Sequence, residues 1–133
     1  VGHKKVSRHT TALIAGSLWN LVFGGLGVLN LPLLIELFYH SVPSQAQITA
    51  NQGFWMAVAI FGIGYGVVGL TISKLRFFVS LGAIGKFVFF LFMAHLWLVD
   101  VATTFAAVIA VGDLLWGLYF LVFIFRTREY GYL

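Results

Sequence analysis

The chain has 133 residues, of which 61% are hydrophobic and only 9% are charged, and its mean hydropathy is +1.01. Soluble globular domains carry about 25% charged residues, so this chain has too little polar surface for a water-facing exterior, and we expect lipid to be its solvent. The absence of cysteine excludes disulfides, thiolate zinc sites, iron–sulfur clusters and thiol catalysis, and the net charge of +4 does not indicate a nucleic-acid partner because the positive residues flank apolar segments.

The first predicted element is a membrane span over about residues 10–30, after the basic segment 1–8. Its apolar run ends at Asn30-Leu31-Pro32, because proline lacks an amide donor and disfavours helix at the residue before it. A cleaved signal peptide has an apolar region of only about 7–15 residues, so we predict an anchor instead. Residues 32–40 then predict a short interfacial helix on the outer surface.

Three further apolar segments predict the remaining spans, at about residues 53–72, 77–98 and 101–125. The polar residues 41–52 predict a loop before the second span. A basic turn at 73–76 and a two-residue turn, Val99-Asp100, connect the others. The chain is therefore predicted to be all-α, with residues 1–133 forming a single transmembrane domain built as a four-helix bundle.

The distribution of positive charge predicts the orientation. Seven basic residues lie at one end of the predicted spans and none at the other: Lys4, Lys5, Arg8, Lys74, Arg76, Arg126 and Arg128. The positive-inside rule therefore predicts that both termini are cytoplasmic. Trp55 and Trp97 fit an outer aromatic belt, and Tyr130 and Tyr132 fit an inner one.

Two opposite charges lie near the centres of the last two spans, Lys86 in the third and Asp113 in the fourth. A charge at the centre of a membrane helix costs about 2.5–3.5 kcal/mol. A tight turn makes these spans neighbours, so we expect the two groups to face each other as an ion pair or a neutral hydrogen-bonded pair. Asn20 and Tyr65 lie at similar depth, which predicts one midplane polar cluster. It is either a proton-relay or ligand site, or a structural clasp.

A second polar group is predicted toward the outer surface, and it comprises Glu36, Tyr39, His40, His95 and Asp100. Histidines there could ligate a metal or haem, or titrate near neutral pH. Their spacing is not compact, so we expect interfacial side chains with one face in water. We predict no metal and no haem.

Glycines mark the second span. Gly64-Tyr65-Gly66-Val67-Val68-Gly69 matches a dinucleotide-binding pattern, but it lacks the preceding strand and the acidic residue about 20 positions on. Gly62, Gly66 and Gly69 follow helical spacing instead, and we expect this ridge to pack against the first span or a second protomer. The phenylalanines of the third span could form a pocket for a quinone or a lipid tail, although packing is the simpler interpretation.

Two short motifs support a family resemblance: Gly85-Lys86 in the third span and Gly112-Asp113-Leu114-Leu115-Trp116 in the fourth. Over about Gly62–Arg126 the chain resembles small bacterial four-helix membrane proteins described as DoxX-like or of unknown function. Some DoxX-like proteins are accessory subunits of quinone-linked oxidoreductases. The resemblance therefore implies an auxiliary role in a bacterial inner membrane, and it carries over no catalytic residue.

Three functions remain open from the sequence. The first is a ligand-binding or accessory protein that holds a lipid-like small molecule or joins a membrane-protein partner or itself. The second is proton- or ion-coupled transport by an oligomer, with Lys86 and Asp113 as the charge-exchanging pair. The third is an intramembrane enzyme with its chemistry at the outer-side group. No cofactor is predicted, with a quinone or a lipid as the alternative.

Overall fold

The computed structural model describes the backbone of residues 2–71 and 76–128, and the side chains of these residues from residue 8 onward. Within this part of the chain, the secondary structure consists of helices and their connections. The helices are α1 (Gly2–Leu29), α2 (Leu31–Phe38), α3 (Gln45–Thr71), α4 (Arg76–Leu98) and α5 (Thr104–Arg126). The predicted all-α class is confirmed. Four of these five helices, α1, α3, α4 and α5, are long and apolar enough to cross a membrane.

The helix α3 begins at Gln45, eight residues before the predicted start at Gly53. The cause is a reciprocal cap. The Gln47 side chain accepts from the Ser44 amide at 2.7 Å, and the Ser44 hydroxyl accepts from the Gln47 amide at 3.3 Å. This is the capping-box arrangement, which satisfies backbone donors that a helix start leaves free. The predicted loop over residues 41–52 is therefore wrong for residues 45–52.

The short helix α2 was predicted as an interfacial helix, and the structure places its apolar face against protein. Leu31, Leu34, Ile35 and Phe38 are all buried. They belong to a core cluster that also contains Trp55 of α3, Met93 of α4, and Ala106 and Ala110 of α5. Proline is tolerated in the first turn of α2, where an amide donor has no helical partner. The helix thus closes one end of the structure, which we call the α2 end.

The connection between α4 and α5 is longer than the predicted two-residue turn. Asp100 adopts a left-handed backbone conformation with φ 59°, and Thr103 caps α5 by accepting from the Ala106 amide at 3.2 Å. The same segment pairs with the residues that follow α2. The His40 amide donates to the Val101 carbonyl at 3.1 Å, and the Thr103 amide donates to the Phe38 carbonyl at 2.8 Å. These bonds hold α2 against the α4–α5 hairpin.

Small residues bring α1 and α3 into close contact. A Cβ atom added to Gly24 would lie 2.6 Å from the backbone nitrogen of Ala59, so only glycine fits at this crossing. The predicted ridge of Gly62, Gly66 and Gly69 runs along the same interface, where it contacts α1. In particular, the Ser17 hydroxyl donates to the Gly62 carbonyl at 2.6 Å.

Bulky side chains separate the α1–α3 pair from the α4–α5 pair. The Trp19 ring of α1 lies over Gly112 of α5, and the rings of Tyr65 and Phe120 are 4.7 Å apart between their centroids. Gly117 faces the other way, toward the Cβ of Lys86 on α4. The result is two closely packed helix pairs, joined by aromatic side chains and with a gap between α3 and α4.

The end opposite α2 contains arginine residues and is called the arginine end (Arg8, Arg76 and Arg126). Arg76 was predicted to lie in a basic turn, but it is only 2% exposed. Its Nε donates to the Thr127 hydroxyl at 2.9 Å, and an Nη donates to the carbonyl of Ile124, so it satisfies a carbonyl group in the last turn of α5. Several residues of the orientation argument lie outside the described part of the chain: Lys74, Tyr130, Tyr132 and the side chains of Lys4 and Lys5.

Candidate functional site

The structure brings Lys86, Asp113 and Asn20 together in the interior. The Lys86 amine donates to Asp113 Oδ1 at 2.6 Å and to Asn20 Oδ1 at 2.9 Å. The side chains of Lys86 and Asp113 are 6% and 16% exposed. Side chains from three helices, α1, α4 and α5, therefore meet at the Lys86 amine. Pairing and hydrogen bonding are expected here, because a charge removed from water is costly without them.

Two further contacts orient this triad, which we define as Asn20, Lys86 and Asp113. The Asn20 amide nitrogen donates to the Val58 carbonyl of α3 at 3.2 Å, which turns its carbonyl oxygen toward Lys86. The Trp19 indole donates to the carboxylate oxygen that Lys86 also contacts, at 3.1 Å. All four long helices are therefore tied to the triad by hydrogen bonds.

Tyr65 lies beside the triad rather than hydrogen-bonded to Lys86. The amine is 5.9 Å from the centroid of the Tyr65 ring and 6.0 Å from that of Phe120, a distance at which a cation is attracted by an aromatic ring. A Cβ added to Gly82 would lie 2.2 Å from the Tyr65 hydroxyl, so Gly82 provides the space that this hydroxyl occupies. All four residues of the predicted midplane cluster are thus neighbours.

The triad forms one wall of a cavity of about 180 Å³ between α3 and α4. The rest of the lining is mainly aromatic, with Trp19, Phe23, Phe61 and Phe89 among the contributing side chains. Trp55 also lines the cavity. It was predicted to sit in an outer aromatic belt, but it is only 5% exposed because its ring packs directly over Gly27, where any side chain would collide with it. We call this cavity the lateral cleft.

Two stacked ring pairs connect α3 and α4 on either side of the lateral cleft. Phe54 and Phe89 stack toward the α2 end with 6.0 Å between centroids, and Phe61 and Phe78 stack toward the arginine end with 4.8 Å. Between them the two helices present small residues. Gly85 is exposed, lines the cleft, and has nothing within 4 Å of the position of a Cβ. The cleft therefore opens sideways at the depth of the triad.

The outer-side group is brought together only in part. His40 Nε2 lies 3.7 Å from Asp100 Oδ1, with both side chains largely exposed. Glu36, Tyr39 and His40 line a second cavity of about 380 Å³ at the α2 end. Partial burial raises the pKa of the Tyr39 hydroxyl above its ordinary value.

His95 does not line the second cavity, and within the described residues no hydrogen bond or ion pair joins its side chain to the rest of the outer-side group. In the same part of the chain, no set of three or more His, Asp or Glu residues is placed to hold a metal ion.

Trp19 and Ser17 make interior polar contacts that the sequence analysis did not identify. A signal was available for Trp19, because an indole N–H in the middle of an apolar segment needs an acceptor, and Asp113 is an acidic group at a similar depth. Ser17 donates to a carbonyl of α3, a contact that depends on how closely the two helices approach.

No protein-family model, no curated protein and no solved structure matches this chain. The DoxX-like resemblance therefore stays a prediction, and the function is inferred from the geometry of the triad and the lateral cleft.

Proposed function

We propose that this chain is an integral membrane protein with four transmembrane helices that binds an apolar molecule, taken up from the bilayer, in the lateral cleft between α3 and α4. The observation that carries this proposal is a nearly buried Lys86–Asp113 pair in the wall of a cavity that is otherwise lined by aromatic and small apolar groups.

The charge distribution supports the membrane arrangement. Arg8, Arg76, Arg126 and Arg128 all lie toward the arginine end, whereas Glu36 and Asp100 lie toward the α2 end. This asymmetry follows the positive-inside rule, so we propose that the arginine end and both termini face the cytoplasm. A bacterial inner membrane is proposed on the resemblance alone.

The chemistry of the lateral cleft supports a binding role. Small-molecule sites are mostly apolar concave surfaces with a few well-placed polar groups that fix the ligand's orientation. Ionisable residues within a membrane are costly and usually mark a functional site. Here the ionisable pair borders the gap between α3 and α4, and a purely structural clasp would not need such an opening.

The ridge of Gly62, Gly66 and Gly69 bears on self-association. This ridge packs against α1 within the chain, so it is occupied and does not form the surface for a second copy. An oligomer or a membrane-protein partner, if formed, must use another face. We propose binding of a lipid-like molecule as the primary role and association as a property to be measured alongside it.

The test compares two glycines that both have open space around them. Gly85 lies at the mouth of the lateral cleft, whereas Gly25 lies on α1 and does not line it, and at neither glycine would an added Cβ have another group within 4 Å. Gly85→Leu should therefore fold normally and obstruct the cleft, and Gly25→Leu is the matched control.

Native mass spectrometry of each protein extracted from its own membrane reports bound small molecules and stoichiometry together. We expect a discrete adduct on the unmodified protein and on Gly25→Leu, and at least a tenfold loss of it on Gly85→Leu, as a roughly 1.4 kcal/mol penalty would produce. An unmodified protein without any adduct, or equal adducts on both variants, would overturn the proposal.

A further inference from the structure

The ligand class follows from the unused hydrogen-bonding capacity of the triad and from its charge. This inference rests on the proposed function and adds the chemistry of the molecule that the lateral cleft takes. We propose that the ligand is an uncharged amphiphile with a ring-sized head group that accepts a hydrogen bond from Lys86, and with an apolar remainder that extends toward the bilayer.

The net charge of the triad is the first constraint on the ligand. Lys86 and Asp113 together carry no net charge, whether they form an ion pair or a neutral pair. Apart from these two residues, Tyr65 is the only titratable side chain among the described residues that line the lateral cleft. A charged head group would therefore enter an apolar cavity without an opposite charge to pair with, which is the costly case for a buried ion. The cleft selects against carboxylates and ammonium groups alike.

The number of N–H donors on Lys86 indicates whether the ligand donates or accepts the hydrogen bond. A lysine ammonium has three N–H donors, and within the described residues two of them are used, toward Asp113 and Asn20. If the proton sits on the carboxyl group instead, the amine has two N–H groups and accepts from Asp113, and one N–H again remains beyond the bond to Asn20. Either arrangement leaves one donor on Lys86, so the ligand atom that contacts Lys86 is an acceptor such as a carbonyl or ether oxygen.

Two other nitrogen donors of the wall, those of Asn20 and Trp19, are already engaged. The Asn20 amide donates to the Val58 carbonyl, and the Trp19 indole donates to Asp113. Neither is free to recognise a second polar group in the ligand. One acceptor on the head group therefore satisfies the donor that the triad leaves unused, and the rest of the molecule contacts the mainly aromatic lining.

Size and shape set the remaining limits. An apolar cavity of about 150 Å³ accommodates benzene, so the cavity of about 180 Å³ holds a head group of roughly one substituted ring. Stacked aromatic pairs border the opening on both sides, and flat rings pack well against such surfaces. Anything longer than the head group must leave through the gap beside Gly85.

The experiment uses three probes with similar bicyclic bodies: 1-tetralone with a carbonyl, tetralin with no polar atom, and 2-naphthoate with a carboxylate. Each is titrated into the detergent-solubilised protein, and the shift in melting temperature reports binding by mass action. Gly85→Leu serves as the obstructed reference, which subtracts any effect of the probe on the micelle.

We expect 1-tetralone to bind at least tenfold more tightly than tetralin or 2-naphthoate, the range that one hydrogen bond to a charged donor provides. In the variant Lys86→Met/Asp113→Leu, which removes the donor and keeps the site uncharged, the preference for 1-tetralone over tetralin should disappear. If that variant does not fold, the comparison among probes on the unmodified protein still decides the matter.

The failures are distinguishable. The inferred head group would be overturned if 1-tetralone and tetralin bound equally, or if 2-naphthoate bound more tightly than 1-tetralone. If Gly85→Leu abolished that response, the cleft would still stand as a binding site. No response to any probe beyond that of Gly85→Leu, together with an adduct-free native mass spectrum, would overturn the proposed function itself.

Discussion

The contact between Lys86 and Asp113 makes a quantitative prediction about stability. Removing one partner should destabilise the protein more than removing both, because a single substitution leaves a charge in the interior without its counterpart. The variants are Lys86→Met, Asp113→Leu and the combination of the two. Methionine and leucine are close in size to the side chains they replace and carry no charge.

The structure supplies the terms for the estimate. In Lys86→Met, the carboxylate keeps only the Trp19 indole as a donor, and in Asp113→Leu, the ammonium keeps only the Asn20 carbonyl. Breaking a buried pair in this way costs about 3–5 kcal/mol. In the double variant the charges are gone, and the remaining cost is about 1 kcal/mol for each of the two neighbours that lose a partner. The double variant should therefore be about 1–3 kcal/mol more stable than either single variant.

Reversible unfolding in mixed detergent micelles, followed by circular dichroism, gives the free energy of unfolding for all four proteins. Asp100→Asn is the control, since this carboxylate is 97% exposed and its loss should change the free energy by less than about 0.5 kcal/mol. Losses in the double variant that equal the sum of the single losses would refute the reasoning, because they would mean that the two groups do not interact.

Two further predictions concern packing and capping. Gly24→Leu should lower the free energy of unfolding by more than about 3 kcal/mol, because even the Cβ of the new side chain would collide with the α3 backbone. Gly25→Leu should have little effect, since its Cβ would meet no other group. Thermal unfolding of both variants provides the comparison. Arg76→Met should cost about 1–3 kcal/mol and accelerate amide hydrogen exchange in the last turn of α5, where its bonds are lost, and Arg126→Met at an exposed position should change neither. Unchanged exchange in Arg76→Met would show that the cap is dispensable.

Some features could be predicted from local sequence because they depend on the summed hydropathy of neighbouring residues or on a short pattern such as a proline. The long apolar segments identify four helices that could span a membrane, and the break at Asn30-Leu31-Pro32 identifies the end of the first. The start of α3 was misplaced even though its signal, Ser44 followed by Gln47, is local. The polar composition of residues 45–51 outweighed a capping pattern that was present in the sequence.

The sequence by itself also determined that Lys86 and Asp113 needed each other, because an apolar surrounding makes two unpaired charges too costly. Only the tertiary structure decided what surrounds them. Gly24 and its neighbours let α1 and α3 approach closely, while ring pairs such as Phe54 with Phe89 hold α3 and α4 apart. The lateral cleft exists because of that difference in spacing. Hydropathy measures each residue's preference for lipid, whereas the distance between two helices is set by which side chains meet at their interface.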